Sequence, residues 1–90
     1  MNFTVVWRWR ATDALADAVV TALEAGHNTA AIATAAARVD DLLRRNPATL
    51  GESRPGHERV VIEAPLTVFF EIHEEEHVVI VLSVRYFGRV

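Results

Sequence analysis

Ninety residues with 51% hydrophobic and 23% charged side chains make one domain, residues 1–90, and exclude a disordered chain. The absence of cysteine excludes disulfides and thiolate metal sites and fits a reducing cytosol. The longest apolar run, Val78 to Leu82, is far short of the ~20 residues of a membrane span. No basic segment followed by an apolar stretch marks a signal peptide, so a cytoplasmic protein without a membrane partner is expected.

The formal net charge of −3 argues against a generic nucleic-acid binder. It is unevenly spread: residues 1–50 balance five arginines with five acids, whereas residues 51–90 carry four arginines and seven acids. Three of those acids are Glu74-Glu75-Glu76, at an expected turn. All nine basic residues are arginine. That bias reflects either base composition of the genome or a use for bidentate phosphate and carboxylate contacts.

Phe3 to Trp9 alternates, with Phe3, Val5, Trp7 and Trp9 on one side, and predicts a strand. Thr12 is the expected N-cap of a helix, with Asp13 in its first turn. Leu15, Val19, Ala22 and Leu23 fall on its apolar face, and Gly26 is the expected stop. Asn28 or Thr29 starts a second helix, whose apolar face is Ile32, Ala35, Ala36, Val39, Leu42 and Leu43. Asp40 and Asp41 stand four residues before Arg44 and Arg45, the spacing of helical ion pairs. Asn46-Pro47 ends this helix. The small residues of both helices suit an α-hairpin, and neither helix has enough large apolar side chains to stand without a sheet. After a loop over 48–57, strands are predicted at Arg59–Ala64, Leu66–His73 and His77–Phe87. The expected fold is α+β in the order β-α-α-β-β-β: a four-stranded antiparallel sheet with an α-hairpin packed on one face.

Alternation assigns the faces. Val60 and Ile62, then Leu66, Val68, Phe70 and Ile72, then Val78, Ile80, Leu82 and Val84 are expected beneath the helices. The opposite, open face is expected to carry Arg8, then Arg59, Val61 and Glu63, then Thr67, Phe69, Glu71 and His73, and last Val79, Val81, Ser83, Arg85 and Phe87. Tyr86 falls on the core-side parity, at a strand end where its hydroxyl can reach a polar edge. Such a face is either a solvated surface with charges paired across strands or an anion-binding groove. In the second case Phe69, Phe87 and Tyr86 would stack bases. His57, beside the loop that holds Arg54, is a candidate acid or base near neutral pH. His73 and His77 flank the Glu74–Glu76 turn in a spacing that suits a solvated turn better than a metal site, and no metal or other cofactor is expected. Trp7 and Trp9 are read as core and edge packing. The sequence has no Gly-rich phosphate loop, nucleophile elbow or paired-carboxylate signature.

Three segments carry a resemblance in register: Leu42-Leu43-Arg44-Arg45-Asn46-Pro47, Gly51-Glu52-Ser53-Arg54, and the strand run Arg59-Val60-Val61, Pro65-Leu66-Thr67-Val68-Phe69-Phe70 and Val79-Ile80-Val81-Leu82-Ser83-Val84-Arg85. On these the chain resembles the RelE/ParE superfamily of toxins from type II toxin–antitoxin systems, also called plasmid stabilisation proteins. The resemblance implies a bacterial toxin whose cognate antitoxin masks it, and whose groove either receives ribosome-bound mRNA or, in the ParE branch, serves inhibition of DNA gyrase. For the RNA-cleaving branch it implies Arg59, Arg85 and Tyr86 as catalytic residues; the loop and the open face add Arg8, Arg54, His57, Phe69 and Phe87 as residues to bind RNA or a partner. A carboxylate base, Glu52 or Glu58, is a further implication.

Three functions stay open at this point. One is an mRNA endoribonuclease in which Arg59 and Arg85 stabilise the phosphorane and Tyr86 or His57 moves a proton. Another is a non-enzymatic toxin acting on gyrase, which the acidic charge and lack of lysine favour. The third is a non-toxic interaction module of the same fold. All three call for an antitoxin segment of acidic or amphipathic character on the open face or a free sheet edge.

Overall fold

The computed structural model describes residues 2–53 and 57–88. Strand β1 (Thr4–Trp7) leads into helices α1 (Trp9–Ala25) and α2 (Thr29–Arg45). A short 3-10 turn (Pro47–Thr49) and strand β2 (Glu52–Ser53) follow, then β3 (Glu58–Glu63), β4 (Leu66–His73) and β5 (Val78–Tyr86). The α+β class and the element order agree with the expectation. The sheet has a fifth strand, β2, in the region expected to be loop, and its order is β1-β5-β4-β3-β2. It is mixed, because β1 runs parallel to β5 while the other pairs are antiparallel. The helical crossover between β1 and the later strands is what permits a parallel pair.

The first strand ends earlier than alternation suggests. Arg8 donates its backbone N–H to Val81 O at 3.1 Å and is the N-cap of α1, without a side-chain cap. Thr12 therefore lies inside the helix, and its hydroxyl donates back to Trp9 O at 3.0 Å. Starting one turn early seats Ala11, fully buried, in the core. Trp9 is left outside at 69% exposure, with the Arg10 guanidinium 5.1 Å from its ring. Trp7 packs inward, and its indole N–H donates to Asp40 Oδ1 at 2.9 Å.

Both helix ends follow the local chemistry. Gly26 takes a left-handed φ of 74°, and the N–H groups of Gly26 and His27 return to Leu23 O and Ala22 O. Asn28 caps α2 by accepting from Ala30 N at 3.0 Å. The Asp40–Arg44 and Asp41–Arg45 pairs form as spaced, at 2.8 and 2.6 Å. Helix α1 is buried through small residues, Ala11, Ala18 and Ala22, while its Leu23 is exposed. From α2, Ile32, Ala35, Val39 and Leu43 enter the core. Alanine seams let a helix axis approach the sheet closely, which is how a small chain fills its core.

Strand β4 obeys the expected parity, with Leu66, Val68 and Phe70 fully buried. Strand β3 does not. Its register sets Glu63 opposite Leu66, Val61 opposite Val68 and Arg59 opposite Phe70. Directly paired residues share a face, so Arg59, Val61 and Glu63 lie on the helix side, and Ile62 is 68% exposed on the other. Strand β5 follows two parities. Val79 and Val81 are buried, then the register slips so that Phe69 pairs with Ser83 and Phe70 with Val81. Leu82 is the extra residue of this bulge, and one extra residue reverses the alternation. Val84 is buried and Tyr86 packs toward the helices, as expected, but Val78 and Ile80 belong to the open face.

Gly51 holds the loop before β3. Its φ is 64°, and a Cβ there would lie 1.9 Å from Val60 O. Gly26 has nothing within 4 Å of the same position. Gly26→Ala is expected to cost about 1 kcal/mol, the left-handed penalty alone, and Gly51→Ala clearly more. Urea midpoints of the two variants, compared at equal m-value, check the order.

Candidate functional site

The three arginine and tyrosine candidates at the centre of the sequence reading stand in three different places. Arg59 lies on the helix side at the start of β3, half-buried over the loop. Its Nε and Nη2 donate to Leu50 O at 3.2 and 2.9 Å, and Nη1 donates to Ser53 Oγ at 2.8 Å. Longer bonds from Nη2 reach Ala48 O and Gly51 O. The fork is thus engaged with the backbone of residues 48–51 and ties that segment to the sheet. Sharing the open face with Arg85, as alternation suggested, is not what Arg59 does: pairing with Phe70 turns it to the opposite side.

Arg85 pairs with Thr67 and projects from the helix-free face, exposed, its guanidinium 5.8 Å from the Phe69 ring. Among the described residues it makes no ion pair. Ser83 shares that face, and Phe87 follows at 37% exposure. Arg8, at the end of β1, is exposed and also without an ion pair among the described residues. Arg54 lies outside the described residues. His57 is at the other end of the sheet, in a cleft with Glu71, His73 and the Glu74–Glu76 turn. Four carboxylates around it make that cleft unsuited to an anion. His73 instead bonds Glu71 Oε1 at 3.1 Å, and among the described residues no cluster of three ligand-type side chains could hold a metal ion. His77, with φ 57°, meets the Phe3 ring in a tilted contact, centroids 4.5 Å apart, and belongs to the turn.

Tyr86 is the last residue of β5 and points beneath the helices, where a cleft of 270 Å³ opens between the α1–α2 link and the β3–β4 turn. His27, Asn28, Ala31, Ala64, Pro65, Tyr86 and Phe87 line it. Tyr86 Oη and His27 Nδ1 are 2.6 Å apart, a short hydrogen bond across 59 residues of sequence. The two rings are tilted, with centroids 6.1 Å apart. The Gly26 turn holds His27 in place, and Phe87 N–H donating to Pro65 O holds the end of β5. Gly88 passes so close that a Cβ there would meet Tyr86 Oη and His27 Nδ1 at 2.7 Å. His27 is the residue that sequence reasoning missed. Its one sequence signal is its position between the helix-stopping Gly26 and the capping Asn28, which fixes the ring at a helix–helix corner.

A second groove adjoins the first and shares Asn28, Ala31 and Ala64 with it. It runs along α2 past Thr34 to Arg38, which faces Glu63 at 3.6 Å. Arg59, by contrast, is four residues down β3 and two strands over from Tyr86, about 13 Å along the strand and about 10 Å across. The Glu74–Glu76 turn is at the far end of the sheet from Tyr86, and Glu63, paired with Arg38, is the carboxylate in the adjoining groove.

Arg59→Ala is expected to cost roughly 1–3 kcal/mol, from carbonyls left without their donor, and to speed hydrogen exchange of the 48–53 amides. Exchange of the His27 and Tyr86 amides measured alongside is expected to change only as global stability changes.

No family model matches the chain, and no curated protein matches it either. The fold is nevertheless found among solved structures. A chain of the toxin–antitoxin complex RelBE2 from Mycobacterium tuberculosis superposes with a TM-score of 0.69 at 19% identity, over 96% of this chain and 99% of that one. A chain of the archaeal RelE–RelB complex from Pyrococcus horikoshii superposes at 0.65 with 14% identity, over the whole of both. With near-complete coverage in both directions and the same α+β order, the chain has the fold of the RelE toxins of RelBE complexes.

Proposed function

We propose that this chain is the toxin of a type II toxin–antitoxin pair, acts in the cytoplasm, and cleaves RNA with Tyr86 as its proton-transfer group. The observation that carries the nuclease reading is the Tyr86 hydroxyl, held in an open cleft 2.6 Å from an imidazole nitrogen. A phenol so placed can exchange its proton during attack on a phosphodiester. Arg85, next in the chain but on the other face, serves as a backbone-phosphate contact for the RNA beside Phe69 and Phe87. Arg59 serves the loop rather than the phosphorane, since its donors are already used. A cognate antitoxin is the partner in this reading, and the superposed chains come from complexes of RelE with RelB. Two short edge strands, β1 and β2, offer backbone for its docking.

A second reading, a non-enzymatic toxin acting on DNA gyrase, is favoured by the separation of Arg59, Arg85 and Tyr86 and by the net charge of −3. Induction of the chain without its antitoxin, followed by mapping of mRNA 5′ ends, decides between them. The nuclease reading expects growth arrest with new 5′ ends, abolished by Tyr86→Phe and weakened about tenfold by Arg85→Ala. Arrest without new ends, together with loss of supercoiling by purified gyrase, would establish the second reading.

A further inference from the structure

We infer that His27 is the proton partner of Tyr86, and that the RNA segment undergoing cleavage lies in their shared cleft and its continuation to Arg38. The inference rests on the nuclease reading above and adds to it a residue and a path.

The geometry carries it in three parts. The 2.6 Å separation joins side chains from the helix–helix link and the last strand, and both are half-buried rather than free in solvent. The hydrogen bond leaves the phenol oxygen able to accept from a second group in the cleft, because a hydroxyl carries one donor and two acceptor sites. Glycine at position 88 keeps side-chain atoms off both partners, since a Cβ would stand 2.7 Å from each. Of the described arginines, Arg38 lines the groove that continues from this cleft, on the same side of the sheet as Tyr86. It faces one carboxylate at 3.6 Å and is well exposed, so a phosphate can take its fork. The wall between is formed by the small side chains Ala31, Thr34 and Ala35.

Neutral His27, with Nδ1 unprotonated, accepts the phenol hydrogen bond. The ribose 2′-hydroxyl gives its proton to Tyr86 Oη as O2′ attacks phosphorus, and the phenol proton passes to His27 Nδ1. The O2′–P bond forms and the P–O5′ bond breaks. Solvent water supplies the proton taken by the departing 5′-oxygen, and imidazolium returns one to solvent. The products are a 2′,3′-cyclic phosphate and a 5′-hydroxyl. Protonated His27 has no acceptor at Nδ1, so the rate should fall on the acid side. Among the described residues, the charged or titratable groups lining the two grooves are His27 from the link, Tyr86 from β5, Arg38 from α2 and Glu63 from β3.

The test is cleavage of a short single-stranded RNA by the purified chain across a pH range. His27→Gln is expected to keep KM and lose about a hundredfold in kcat, with the acid limb of the rate profile gone. Tyr86→Phe should lose as much, and the double variant no more than either. Arg38→Gln should raise KM about tenfold with kcat little changed. Wild-type rate and profile in His27→Gln, or losses that multiply in the double variant, would overturn the role of His27 while leaving the nuclease reading intact. An unchanged KM in Arg38→Gln would overturn the path. If His27→Gln does not fold, the wild-type profile still decides, because a rate flat on the acid side excludes a neutral-imidazole acceptor. A wild-type chain that leaves RNA uncut overturns both readings together.

Discussion

Everything at the functional end of this molecule depends on how β5 is paired. It is held on one side by β1 in parallel and on the other by β4 in antiparallel register. One residue, Leu82, is inserted between those constraints. Before it the odd positions Val79 and Val81 are buried, and after it the even positions Val84 and Tyr86 face the helices. Without the bulge, a strand that buries Val79 and Val81 would also turn Arg85 inward and Tyr86 out. Bulges commonly re-aim a side chain near a functional site, and here the re-aimed side chain is the chain's one tyrosine.

The arginines show how the same residue type is put to different uses by its surroundings. Arg59 finds carbonyl oxygens within reach of Nε and Nη2 and the Ser53 hydroxyl within reach of Nη1, and becomes a strut of the 48–51 loop. Arg44 and Arg45 pair along α2 with carboxylates one turn earlier, contacts that contribute a few tenths of a kcal/mol each. Arg10 lies over an exposed indole, and Arg85 lies beside Phe69 on the open face. Arg85 lies on an open face and Arg38 along a groove, both with room for an external anion. A net charge of −3 is therefore a poor guide to what any one surface can bind, because the Glu74–Glu76 turn lies at the opposite end of the sheet from Tyr86.

The helices make this arrangement compact. Buried alanines in α1 bring the helix down onto the sheet, and the link between the helices is only three residues, Gly26 to Asn28. A link that short fixes the backbone of His27, whose N–H is bound to Ala22 O, and its ring meets Tyr86 at the sheet end where β5 finishes. Trp7 and Asp40 fix the other helix to β1 across the core boundary. The cleft between these anchors is a consequence of small side chains, Ala31 and Ala64, standing where larger ones would close it.

The order of the main elements, both helix stops, the start of α2 at Asn28 or Thr29, the α2 face and its ion pairs were legible in the sequence, because each depends on neighbours within a turn or two. The same is true of β4, whose strict alternation leaves one solution. Strand β3 was not legible by alternation, since Val60-Val61-Ile62 can bury either parity. The two-residue turn at Ala64-Pro65 carries the missing information, by placing Glu63 opposite Leu66. The parallel pairing of β1 with β5, the bulge at Leu82 and the meeting of His27 with Tyr86 were decided by tertiary structure alone. Each joins segments far apart in the chain, and no local preference of the residues involved records which distant partner will satisfy them.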